Sequence, residues 1–266
     1  MNREKTLRIK EEFDDDTRKC TVIIALDDSG SMSSKEEVVY QATKQLLQTL
    51  VKENESGLVF EYNVILMVFN NDVHVINPNS NALPPEQLLE LFERNDYKCS
   101  GGTSLAAVFR KLDELFTRKE TGLLSKAQKG DPYPVVIFIS DYMPTDNKDF
   151  YEDAKNTLLS NRFYTKTQRL CIYVGSGNRK SAAAELVGDE DNVLALETNI
   201  EGLLAPVVCG STIMAADSTH IGDVDKTPAE IAKEQQERAE EGERSADNLS
   251  DSNLKEELEK LFGGKG

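Results

Sequence analysis

The chain has 266 residues, more than one average domain and fewer than two, and 39% of them are hydrophobic, enough for a real core. With 31 basic against 47 acidic residues the formal charge is −16. That charge repels a nucleic-acid backbone over most of the surface, and suits either plain solubility or the attraction of cations and basic partners. No run of about 18 apolar residues occurs, so no membrane-spanning helix is expected.

Residues 1–19 read as a charged arm without the apolar centre of a secretory signal. The expectation is a cytoplasmic protein whose cysteines (Cys20, Cys99, Cys171 and Cys209) stay reduced. They lie far apart and form no C-x-x-C pair, so a zinc site is not expected from them. The first strand is predicted at Thr21–Leu26 (TVIIAL), followed by a helix over Lys35–Val51 with Val38, Ala42, Leu46 and Leu50 on its buried face. A second strand at Val64–Phe69 is separated from a third at Val73–Ile76 by only three residues, too few for a crossover, which predicts an antiparallel hairpin. Pro84-Pro85 opens a short helix through Leu91. The stretch Ser104–Phe116 places Leu105, Val108, Phe109, Leu112 and Phe116 on one helical face. Strands at Val135–Ile139, Leu170–Val174 and Val193–Leu196 then alternate with helices at Asp149–Ser160, Ser181–Val187 and Ile200–Val207. Apolar runs without alternation imply strands covered on both faces. The predicted fold class is therefore α/β: a doubly wound, Rossmann-like, mainly parallel sheet with one antiparallel strand, spanning residues 20–210, followed by an acidic, partly helical or flexible tail over 211–266.

In such sheets functional groups sit on loops at the carboxyl ends of strands. Three loops stand out: Asp27-Asp28-Ser29-Gly30-Ser31 (a D-x-S-x-S pattern), Ser100-Gly101-Gly102-Thr103 before a helix, and Ser140-Asp141-Tyr142-Met143-Pro144-Thr145-Asp146 after a strand. Asp27, Ser29, Ser31, Thr103 and Asp141 are all hard oxygen donors, with no thiol or imidazole among them. That set favours Mg²⁺, with Mn²⁺ or Ca²⁺ also suited, over zinc or copper. Two carboxylates and three hydroxyls fill five positions of an ion that favours six, which leaves a coordination position free for an incoming carboxylate.

These three motifs, in this order and context, resemble the metal-ion-dependent adhesion site (MIDAS) of von Willebrand factor A (VWA) domains. SGSM, GGTSL and ISDYMPTD are most similar to the bacterial TerY-like branch associated with tellurium resistance and stress response. The resemblance covers roughly residues 20–210 and implies the VWA fold, with Asp27, Ser29, Ser31, Thr103 and Asp141 as metal ligands, directly or through water. It also implies a non-enzymatic module that holds an acidic residue of a partner protein. Kinase, phosphatase and phosphopeptide-binding proteins are the neighbours that the branch suggests, and Thr219 or Thr227 would be the phosphorylation sites.

Blander readings compete at single positions. Asp27, Ser29, Ser31 and Thr103 are also common helix caps and turn residues. Asp28 is expected to point into solvent, Asp146 to be a turn or cap residue or else to support Asp141, and His74 and His220 to have no role. Two other functions are weighed. A phosphotransferase or phosphatase of haloacid-dehalogenase type needs D-x-D-x-[TV], but Ser29 stands at its third position. No phosphate loop, dinucleotide fingerprint or base beside a nucleophile supports an enzyme. The third reading is a scaffold working through its tail, where residues 217–266 carry 14 acidic and 7 basic side chains. There Thr227-Pro228-Ala229-Glu230 signals a helix start running toward Glu241. Beyond it Leu254, Leu258, Leu261 and Phe262 form an apolar stripe that packs on the body or enters a partner's groove.

Overall fold

An apolar run with no polar face has to be buried between two layers, and each such run of this chain within the described residues lies in one six-stranded sheet. The computed structural model describes residues 18–56, 60–95, 97–125, 132–175 and 179–195. The strands are β1 (Arg18–Asp27), β2 (Phe60–Phe69), β3 (Val73–Val75), β4 (Val135–Ser140), β5 (Gln168–Tyr173) and β6 (Val193–Ala195). Their order across the sheet is β3-β2-β1-β4-β5-β6. All neighbours are parallel except the β2–β3 hairpin, which pairs Phe69 with Val73. The tight Asn70–Asp72 connection leaves no other choice. The expected helix over Ile200–Val207, the tail helices, the Leu254, Leu258, Leu261 and Phe262 stripe, Cys209 and His220 lie outside the described residues.

Among the described residues five α-helices cover the two faces: α1 (Glu36–Ser56), α2 (Pro85–Arg94), α3 (Leu105–Leu115), α4 (Lys148–Ser160) and α5 (Lys180–Val187). Because successive side chains of a strand point to opposite faces, β1 feeds two cores. Cys20, Val22, Ile24 and Leu26 pack with α1 and α2, whereas Ile23 and Ala25 pack with α3, α4 and α5. The predicted face of α3 is fully buried, Phe116 included. The predicted face of α1 needs one correction. Val38 is 46% exposed, and Val39, Ala42, Thr43, Leu46, Leu47 and Leu50 face the core instead.

Beyond the three residues of β3, the outer margin of β2 is finished by other groups. Asn54 exchanges two hydrogen bonds with the backbone of Tyr62, at 2.7 and 2.9 Å. The Asn77 side chain donates to the carbonyl of Val64 and accepts from the amide of Leu66, both at 2.8 Å. Leu83 and Val64 form a two-bond antiparallel bridge.

The connection from β1 runs to β2 on one side of the sheet, while β4 lies on the other. The gap between the carboxyl ends of β1 and β4 is thus the topological switch point, where a doubly wound fold opens a crevice.

Candidate metal centre

Asp27 ends β1 and Asp141 follows β4, and the register pairs Leu26 with Ile139, one residue before Asp27 and two before Asp141. The two carboxylates therefore emerge side by side at the switch point. Asp27 is 1% exposed and Asp141 6% exposed. Asp27 Oδ1 accepts the backbone N–H of Ser29 at 2.9 Å, an Asx turn that starts the loop. Asp27 Oδ2 accepts the hydroxyl of Ser140, which is itself fixed by the N–H of Tyr142 at 2.9 Å. Asp141 Oδ1 accepts the N–H of Met143 at 3.2 Å. Burial pushes the Asp27 carboxyl above its ordinary value of 3.8; the bonds from Ser140 and Ser29 pull it down, and the negative charge of Asp141 pushes it up again.

The hydroxyl groups come from two further segments. Ser29 is buried, and its Oγ lies 3.1 Å from the Oγ of Ser31, at the start of the 3₁₀ turn Gly30–Lys35. Thr103 is 2% exposed and sits just before α3. Its N–H donates to Thr145 Oγ1 at 3.0 Å and its carbonyl accepts the Thr145 N–H at 2.9 Å, which leaves the side-chain hydroxyl as the group this loop presents.

The loops are tied to one another by main chain. Gly30 donates to Gly101 at 3.1 Å, Ser100 to Asp28 at 2.8 Å, Asp28 to Phe69 at 2.8 Å and Ser104 to Asn70 at 2.6 Å. Close approach explains the two glycines. Gly101 has φ +79°, and a Cβ on Gly102 would stand 2.6 Å from Thr145 Oγ1 and 2.8 Å from Asn71 Oδ1. Asn71 in turn accepts the N–H of Gly102 at 2.7 Å.

All five sequence-predicted ligands thus lie on interlocked loops at the switch point, with Ser31 the exposed member. Asp146 is a cap, but of α3 rather than of its own segment: it accepts Ser104 Oγ at 2.7 Å and the N–H of Ala106 at 3.1 Å. Tyr142 takes φ +55°, an uncommon left-handed turn for a bulky residue, held by its buried ring. The expectation for Asp28 needs correction. It is half-buried, faces Cys99 and Glu36, and its carboxyl is raised first by burial, with Cys99 lowering and Glu36 raising it further. Ser140, Thr145 and Asn71 were not singled out from sequence, yet they fix Asp27, Thr103 and Gly102. His74 is exposed on β3.

Among the described residues no group of three or more His, Cys, Asp or Glu is placed to hold a metal. Any ion here would rest on two carboxylates completed by hydroxyls. That donor set, oxygen only and pre-arranged by hydrogen bonds, fits a hard divalent cation. The mutual repulsion of Asp27 and Asp141 in a buried position is what a cation would relieve.

Residues 22–143 match the family model of the von Willebrand factor type A domain. Solved structures with that fold align over most of this chain. A von Willebrand factor type A protein from Catenulispora acidiphila aligns with TM-score 0.53 and 15% identity, over 76% of this chain and 43% of that one. Proximal thread matrix protein 1 from the mussel byssus, in a structure with a zinc-occupied MIDAS motif, aligns with TM-score 0.54 and 18% identity, over 73% of this chain and 48% of that one. The conserved hypothetical protein BatB from Bacteroides thetaiotaomicron aligns with TM-score 0.50 and 14% identity, over 75% of this chain and all of that one. The chain thus spans less than half the length of the first two. No match was found among curated proteins. The six-stranded, mostly parallel sheet with helices on both faces is the VWA fold.

Proposed function

We propose that this chain is a non-enzymatic, metal-ion-dependent protein-binding module, in which Asp27, Ser29, Ser31, Thr103 and Asp141 hold Mg²⁺ and a carboxylate of a partner protein completes its coordination. The observation that carries this reading is the pair of buried carboxylates at the switch point, flanked by hydroxyls on cross-linked loops. The bound ion would offer a coordination position that the five protein oxygens leave open, and the protein's own groups would orient the incoming oxygen. Ser140 and the Ser29 N–H keep Asp27 aimed, and Thr145 keeps Thr103 in place. Oxygen-only ligands favour Mg²⁺ or Mn²⁺, although the mussel protein's motif holds zinc. The finer reading is a cytoplasmic bacterial protein of the TerY-like kind, acting in stress response or defence beside kinase, phosphatase or phosphopeptide-binding partners.

Mg²⁺ or Mn²⁺ is expected to raise the melting temperature of the chelated protein by mass action. Asp27→Ala and Asp141→Ala are expected to abolish that rise. A metal-dependent shift of undiminished size in both variants would remove the site assignment. A tagged pull-down with and without chelator, read by mass spectrometry, tests the adhesive role. A partner kept by Mg²⁺ and lost in chelator supports it, whereas turnover of a phosphate ester would favour the phosphotransferase.

A further inference from the structure

Beside the metal centre, on the α1 side of β1, lies a cavity of about 250 Å³ that shares only Asp27 with the proposed ligands. Its lining includes Asp28, Glu36, Glu37, Tyr40, Tyr97 and Cys99. The two tyrosines belong to an aromatic group built on buried Phe92, whose ring centroid lies 4.8 Å from each; the Tyr40 and Tyr97 centroids are 6.5 Å apart. Tyr97 and Asn95, whose side chains interact, close its wall.

The three carboxylates are not neutralised from within. Among the described residues none of Asp28, Glu36 and Glu37 is in a salt bridge. Glu36 accepts the N–H of Cys99 at 3.1 Å, Glu37 the amide of Gln41 at 2.9 Å, and the Cys99 thiol lies against both Asp28 and Glu36, all neutral partners. The lysines closest along α1 are spent elsewhere: Lys35 donates to the carbonyl of Val174 at 3.0 Å, and Lys44 pairs with Glu93 at 2.6 Å. Carboxylates and aromatic faces share one preference, for a cation, since the π face carries negative potential. A planar guanidinium satisfies both at once, stacking on a ring while donating to carboxylates. An anion would be repelled, and an apolar occupant would leave the carboxylates without a counter-charge.

We propose that this cavity is a receptor for a cationic side chain, an arginine in the first place, presented by the protein that docks on the adjoining metal centre. The binding surface then reads two opposite charges: an acidic residue at the metal and a basic residue in the cavity. That the occupant belongs to the docking protein rests on the function proposed above, but the preference of the cavity for a cation does not.

The test is a ¹H–¹⁵N titration of the full chain in chelator with N-acetyl-arginine methylamide, and with the neutral N-acetyl-citrulline methylamide of nearly the same shape. Saturable shifts of the Asp28, Tyr40 and Cys99 amides are expected with the arginine probe, with affinity about tenfold or more above that of the citrulline probe. Glu36→Gln/Glu37→Gln keeps both hydrogen-bond acceptors and removes two charges, and is expected to weaken the arginine probe by a similar factor. Tyr40→Leu removes one ring face and is expected to weaken it several-fold. Equal response to both probes, no shifts at these amides, or undiminished binding by both variants would overturn the proposal. The Mg²⁺-dependent melting shift is recorded on the same samples. Its absence alongside intact arginine binding would overturn only the metal reading.

Discussion

At the scale of single residues, Asp27 is a buried carboxyl beside a second acid, Asp141. Its carboxyl is raised by burial and by Asp141, so the folded protein holds its proton more tightly than the unfolded chain does. The stability this group contributes is full below its ordinary value of 3.8, and is lost as pH rises through the window between 3.8 and the raised folded value. In chelator at pH 7, Asp27→Asn is therefore expected to melt above the wild type, with the gap closing toward pH 4. In Mg²⁺ the order reverses, because the ion needs the carboxylate. A variant that melts lower in chelator at pH 7 would contradict this account. Thr103→Ala removes a neutral hydroxyl without stranding a charge. Circular dichroism should match the wild type while metal-dependent pull-down of a partner fails, and normal capture would refute a role for the hydroxyl. Asp27, Ser29, Ser31, Thr103 and Asp141 were legible in the sequence because a run of hard oxygen donors at strand ends has few other uses. Ser140, Thr145 and Asn71 were not, because their partners lie 113, 42 and 31 residues away. Once β1 and β4 are known to be neighbours, Ser140 falls into place beside Asp27, and that adjacency is invisible in a linear reading.

At the scale of elements, α3 is the helix on which the site leans. Its first turn is closed by Ser104 Oγ, which Ala107 uses at 3.3 Å, and by Asp146, which takes Ser104 Oγ and the N–H of Ala106. Asp146→Ala is expected to cost about 1 kcal/mol as a lost cap, lowering the melting temperature by about 2–4 °C for a domain of this size. It should also weaken the Mg²⁺ effect, since Thr103 precedes the same turn. An unchanged melting curve would deny Asp146 its capping role. The strands could be read from the sequence because they are buried on both faces and so are apolar without interruption. The face of α1 was misread for a geometric reason. A row of residues at strict i+4 spacing drifts by about 40° per step around a helix of 3.6 residues per turn. Starting from Leu50 and Leu46, that drift carries Val38 out to solvent, and its neighbour Val39 turns inward.

At the scale of the molecule, residues 20–195 already supply a sheet with helices on both faces and two separate cores. Removing residues 211–266 is expected to leave a soluble protein with an unaltered Mg²⁺-dependent melting shift. Insolubility, or loss of the shift with the tail, would mean that the tail completes the core. The acidic composition has a local counterpart in the cavity beside the metal centre, where the carboxylates of Asp28, Glu36 and Glu37 gather and no lysine or arginine is among the described lining residues. Composition could not show this, because it fixes how many charges a surface carries and not where they collect.

The finishing of β2 bears on how the protein behaves in a crowded solution. A sheet normally ends in a row of free amides and carbonyls, which invites a foreign strand to add itself and begin a fibre. Here Asn54, Asn77 and the Leu83 backbone occupy that row, and β3 exposes a margin only three residues long. Two asparagine amides thus stand in for a whole strand, and on this side of the sheet the chain is shielded from templated aggregation by side chains that cover none of the strand-end loops where its partner is expected to dock.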